Sequence, residues 1–156
     1  MRSMVSHQNS EYTRWISECE VPGGLISYIY RMCVVKFSEE LAPYGIGSGE
    51  FPILITIYEE PGKSQDELAI LKGFDKSMIA KMVVKLEEKG LMYRIIDPDD
   101  KRVKRMYLTD AGKALYPKIN RVGINLNQLL HQNLSESESR TLLVSLKKMA
   151  LNAAEM

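Results

Sequence analysis

The 156-residue chain has room for one domain with its own core, and two independent domains would be crowded. Its 45% apolar and 26% charged residues are those of a soluble globular protein, and two cysteines with two histidines exclude a disulfide scaffold, a metal cluster and a His-centred catalytic triad. The net charge of +1 excludes an indiscriminate polycation, yet the charge is segregated: residues 1–60 hold 4 Lys/Arg against 8 Asp/Glu, and residues 72–105 hold 10 against 6.

No apolar run of about 18 residues marks a membrane span, and the N-terminus, MRSMVSHQNSEYTRW, has no apolar segment before a small-residue cleavage site. The cytoplasm is the expected location. The first 20 residues lack periodicity and read as a loose arm or a frayed early helix. From Pro22 a helical stripe begins: Ile26, Ile29, Tyr30, Cys33 and Phe37 fall at i, i+3, i+4, i+7 and i+11, widened by Leu25, Met32 and Leu41. A stripe this broad predicts burial against more than one neighbour. Ala42-Pro43-Tyr44-Gly45 ends it.

A second helix is predicted from about Ser48 to Glu60, stopped by Pro61-Gly62. Ser64-Gln65-Asp66-Glu67 is a capping box that starts a brief helix to about Leu71. Lys72-Gly73-Phe74 supplies a turn, and Asp75 is a good N-cap for a helix over about 76–89. In that helix Ile79, Met82, Val83 and Leu86 define the buried side. Ser77, Lys81, Val84 and Ala80 face away, framed by Lys76, Met78 and Lys85, and Gly90 ends the helix. Met92–Ile96 and Arg105–Leu108 then read as strands joined by the charged tip Asp97-Pro98-Asp99-Asp100-Lys101-Arg102. Thr109 or Asp110 caps a long helix in which Leu115, Ile119, Val122, Leu126 and Leu129 repeat with 4-3 spacing, the seam of a coiled-coil-like pairing. A second capping box, Ser135 to Glu138, opens a last helix with Leu143, Leu146, Ala150 and Ala153 on one side.

A short helix, a tight turn, a basic helix and a hairpin form a helix-turn-helix with a wing, a device for placing side chains in a DNA groove and on its flanking phosphates. The fold class expected is mainly α with a small β-hairpin wing. The order resembles the MarR family of winged-helix transcriptional regulators over roughly residues 22–154. Leu41-Ala42-Pro43-Tyr44-Gly45-Ile46 resembles the family's link between its first two helices, and Leu86-Glu87-Glu88-Lys89-Gly90-Leu91 resembles its recognition-helix exit. Asp97-Pro98-Asp99-Asp100-Lys101-Arg102, followed by Leu108-Thr109-Asp110-Ala111-Gly112, resembles its wing signature. The family more often has Arg where this chain has Lys101, so the charge is kept and the planar fork lost.

The resemblance implies a homodimer built from the first helix and the last two. The divisions expected are residues 1–42 as an N-terminal arm and first dimerisation helix, 43–108 as the winged helix-turn-helix lobe, and 109–156 as the C-terminal dimerisation helices. The residues point the same way, because the three apolar faces offer more surface than one small winged helix can cover. A symmetric dimer would meet double-stranded DNA at an inverted repeat. Ser77 and Lys81 are placed for base edges, and Lys76 and Lys85 for phosphates. Ser64 and Gln65 stand at a helix N-terminus that favours a phosphate. Arg102 is the candidate for the minor groove, and Lys101, Lys104, Arg94 and Arg105 add backbone charge. Asp97 and Asp100 are expected to hold wing arginines.

The resemblance also implies a repressor released by a small aromatic or phenolic effector, held where Tyr28, Arg31, Met32 and Tyr44 approach the lobe. Core packing or a surface ion pair is the better account of each of these four, so no effector residue is assigned. No cofactor and no enzymatic function is expected. Two alternatives stay open: a winged-helix interaction scaffold that does not touch DNA, and a cysteine-based redox sensor. Cys33 lies in an apolar stripe, where a thiol packs inertly, and Cys19 stands between Glu18 and Glu20, the wrong electrostatics for an activated thiolate.

Overall fold

A computed structural model of the chain describes residues 11–156. Residues 11–18 form helix α1, where the sequence suggested only an arm or a frayed helix; the first ten residues of that arm lie outside the described part. Then follow α2 (Pro22–Leu41), a 3-10 turn (Ala42–Tyr44), α3 (Glu50–Glu59), α4 (Gln65–Lys72), α5 (Lys76–Glu88), β1 (Met92–Ile96), β2 (Lys104–Leu108), α6 (Asp110–Leu130) and α7 (Glu136–Ala154). The strands pair antiparallel with Met92 opposite Leu108 and Ile96 opposite Lys104.

Helix α3 sits at the centre, and Ile53, Leu54 and Ile57 are at most 1% exposed. Around it close Leu68 from α4, Ile79, Val83 and Leu86 from α5, Met92, Met106 and Leu108 from the hairpin, and Ile119 and Val122 from α6. Each such aliphatic side chain withdrawn from water contributes about 1.5–3 kcal/mol. This core lies in the winged lobe, closed by Leu41 at the end of α2 and by Ile119 and Val122 in the middle of α6.

The remaining helical surface is unpaired in one protomer. Ile26, Ile29, Met32 and Val35 of α2 stay exposed, as do Leu129 and Leu130 of α6. Helix α7 buries no residue at all, leaving Leu143, Val144, Leu146 and Met149 in solvent. The 4-3 seam of α6 is therefore divided: Ile119 and Val122 are core, Leu115 and Leu126 are half-buried, and Leu129 is open.

The hairpin's two ends are fastened at one place. The Thr109 amide donates to Leu91 O at 3.1 Å, and its hydroxyl donates to Gly90 O at 2.7 Å. The same hydroxyl accepts from the Gly112 amide at 3.1 Å, which caps α6. Gly112 must be glycine for space, because a Cβ there would run into the Leu91 carbonyl.

Candidate nucleic-acid interface

The interface begins with two N-caps and the glycine turn between them. Ser64 accepts from the Glu67 amide at 3.3 Å, and Glu67 Oε2 accepts from the Ser64 amide at 2.7 Å, so the capping box that starts α4 is complete. Gly73, at φ 63°, turns the chain in a left-handed conformation that side chains resist. Asp75 then caps α5, accepting from the amides of Ser77 at 2.7 Å and Met78 at 3.3 Å, and also from the Ser77 hydroxyl. These bonds, the Ser77 hydroxyl foremost, hold the Asp75 carboxyl below its ordinary range.

Helix α5 buries Ile79, Val83 and Leu86 and leaves Ser77, Lys81, Val84 and Lys85 exposed, as the periodicity requires. Lys76 is exposed too and pairs with Asp66 at 2.9 Å, bridging the starts of α5 and α4. Both partners lie mostly in solvent, so this bridge is weak.

The wing divides its basic residues into two kinds. Arg102 is 91% exposed, held at the tip only by Asp100 at 3.2 Å, and Lys101 and Lys104 are exposed beside it. Arg94 and Arg105 instead turn inward. Arg94 Nε donates to Glu87 Oε1 at 2.8 Å, joining β1 to α5. Arg105 donates to Asp97 at 2.6 Å, to Glu67 at 2.9 Å and to Gly62 O at 3.3 Å. The Arg105 guanidinium and the amides of Asp99 and Asp100 keep the Asp97 carboxyl below its ordinary range. Ser64 forms a β-bridge with Arg105, and Met106 N donates to Lys63 O at 3.0 Å, so the approach to α4 lies alongside β2.

The geometry gathers Ser64, Gln65, Arg94, Arg102 and Lys104 around one cleft between the start of α4 and the wing. Ser77, Lys81 and Lys85 line the outer side of α5, Lys76 stands at its start, Lys101 stays at the tip, and Arg105 lies under the wing as a support. Asp97 and Asp100 hold Arg105 and Arg102, as the sequence suggested. The carboxylates of Glu87 and Glu67 were not anticipated as arginine partners. Glu67 carried a signal for its capping role only, and neither pairing follows a local spacing rule.

Elsewhere, Tyr28 packs on Trp15 and Tyr12 of α1 at ring separations of 5.8 and 6.4 Å, and Arg31 bonds Ser27 at 2.7 Å. Tyr44 is exposed in the 3-10 turn, and Met32 is exposed on α2. Both cysteines are free thiols, and burial pushes the Cys33 thiol up, away from the reactive thiolate. Among the described residues, no helix is long and apolar enough to cross a membrane.

A capped helix, a glycine turn, a basic helix and a hairpin pinned beside them define a winged helix-turn-helix protein. Residues 46–104 match the model of the MarR family. The multiple antibiotic resistance protein MarR of Escherichia coli is 32% identical over 128 residues, covering 81% of this chain and 89% of that protein. A MarR transcriptional regulator from Methanosarcina mazei superposes with a TM-score of 0.80 at 33% identity, over 85% of this chain and 96% of its own. A MarR family regulator from Listeria monocytogenes, solved with a 26mer DNA, superposes at 0.84 with 26% identity, over 88% and 91% of the two chains. The chain belongs to the MarR family and is a transcriptional regulator of that type.

Proposed function

We propose that the protein is a homodimeric, sequence-specific DNA-binding repressor that recognises an inverted repeat and is released by a small amphipathic effector. The observation that carries the DNA reading is the outer side of α5: Ser77, Lys81 and Lys85 are solvent-exposed on a helix whose inner side is locked into the core, beside a wing tip whose Arg102 is 91% exposed. A side chain must reach beyond its own lobe to touch a base edge or a phosphate, and these do. The Listeria relative was crystallised with DNA, which supports DNA as the partner.

The dimer is supported by the apolar faces that one protomer leaves open on α2, α6 and α7. Contiguous apolar surface on this scale marks an interaction site. Two copies joined there would present two α5 helices about 34–36 Å apart to successive major grooves. In this reading Lys81 and Ser77 meet base edges. Lys76, Lys85, Lys101 and Lys104 meet phosphates, the α4 N-terminus at Ser64 and Gln65 holds another, and Arg102 enters a minor groove. Arg94 and Arg105 contribute positive field while their ion pairs keep the wing upright. A mobility-shift titration against the DNA upstream of the chain's own gene tests the reading. A shift at low salt that persists over competitor DNA supports it, and dimeric protein that never shifts rejects it. Addition of aromatic acids to the shifted complex tests release.

A further inference from the structure

The far end of α5 is tied to the start of α3 and the loop before it by a contact that no sequence motif contains. Lys89, the C-cap residue of α5, donates to Glu50 Oε2 at 2.6 Å and to Gly45 O at 2.7 Å. The same Glu50 oxygen accepts from the Gly47 amide at 2.8 Å. The Glu50 side chain is 7% exposed and that of Lys89 37%. A carboxylate this buried is costly without its cation, so the place of Lys89 follows from that of Glu50.

The same loop touches α5 a second time. A Cβ on Gly49 would run into the Met82 methyl, so that glycine gives Met82 its seat. Met82 and Lys89 are seven residues apart, about 10 Å along a helix. Two contacts separated along a rod fix its tilt as well as its position. The seat is itself anchored: Ile46 is 3% exposed, and its amide donates at 3.4 Å to the carbonyl of Leu41, the fully buried last residue of α2.

We propose that Glu50 and Lys89 form a clamp that sets the pose of the recognition helix relative to α2, so that Lys89 serves DNA recognition as a positioning residue and not as a phosphate contact. The inference rests on the reading above that α5 meets DNA. Lys89 extends the basic run of α5, but its ammonium is already bonded to two acceptors of its own lobe, Glu50 and Gly45.

The test uses the full chain, a duplex enriched by the wild-type protein from a randomised pool, and a shuffled duplex of equal length. Lys89→Met and the pair Glu50→Gln/Lys89→Met are each compared with Lys89→Arg. The expected result is at least about tenfold weaker binding of the enriched duplex, the scale of a lost base-edge contact. Binding of the shuffled duplex and the dependence on salt should stay unchanged, since both report phosphate contacts. Lys89→Arg should recover most of the affinity. The double variant leaves no unpaired buried charge, so it keeps the test readable if Lys89→Met loses its helical circular dichroism. Equal weakening on both duplexes, a salt slope shallower by about one per lysine, or an unchanged enriched-duplex affinity overturns the clamp. A wild-type protein that enriches no duplex removes the DNA reading beneath it, and the inference falls with that reading.

Discussion

Arg102→Ala isolates the wing tip. The side chain is 91% exposed and its partner is Asp100 at 3.2 Å, so the substitution removes a weak, solvent-screened ion pair and leaves the fold standing. If each wing places one arginine in a minor groove, where it displaces counterions of the flanking phosphates, a dimer loses two such cations. The slope of log affinity against log salt then becomes shallower by about 1.8. Between about 50 and about 200 mM salt, a fourfold change, the loss of affinity becomes smaller by a factor of about 12. Fluorescence anisotropy with a labelled duplex over that range measures the slope. A duplex with A·T-rich flanks should lose more than one with G·C-rich flanks, because a narrow minor groove concentrates the potential that attracts arginine. An unchanged slope in a variant of unchanged Tm refutes the assignment.

Three further outcomes follow from the geometry. Leu143→Glu with Leu146→Glu should leave the protomer folded, since neither residue is buried in it, but give a monomer by light scattering and abolish the mobility shift; a dimer of unchanged affinity would contradict the proposed interface. Gly112→Ala should cost on the order of 3 kcal/mol, because its methyl must displace the Leu91 carbonyl, and should lower Tm by about 10 °C in a scan. The Asp97 carboxyl is held below its ordinary value of 3.8, chiefly by Arg105, so its contribution to stability is complete above that value and is lost as pH falls below it through the lowered folded value; Asp97→Asn should remove that part of the acid dependence of denaturant midpoints, and an identical profile would assign it elsewhere.

Much of the architecture was legible because its signals are local. The caps at Ser64, Asp75, Thr109 and Ser135 each satisfy amides within three residues, so their spacing announces the helix starts. The α5 periodicity placed Ile79, Val83 and Leu86 inward and the lysines outward because one heptad of a helix cannot do otherwise. Helix α1 was missed as a defined helix: its residues carry no apolar period, and its packing comes from Trp15 and Tyr12 lying on Tyr28 of another helix. Pro117 lies inside α6 on its exposed side, and the 4-3 apolar spacing around it still marked one long helix. The basic site was legible as charge and illegible as pairing. Arg94 and Arg105 look like Arg102 in the sequence, and only the fold brings Glu87, Glu67 and Asp97 to the first two. The Lys89–Glu50 contact spans 39 positions and follows no periodicity at all.

Thr109 sews the exit of the hairpin to its entrance, and Arg94, Arg105 and Met106 tie its lower half to the lobe, so only the tip beyond Asp97 projects on its own. Residues added or removed around Asp99 and Asp100 would lengthen or shorten the arm while the lobe below kept its packing. Reach along the duplex is thus adjustable separately from folding, and chimeras that exchange only residues 98–102, leaving the Asp97–Arg105 pair in place, should trade operator footprint without trading stability.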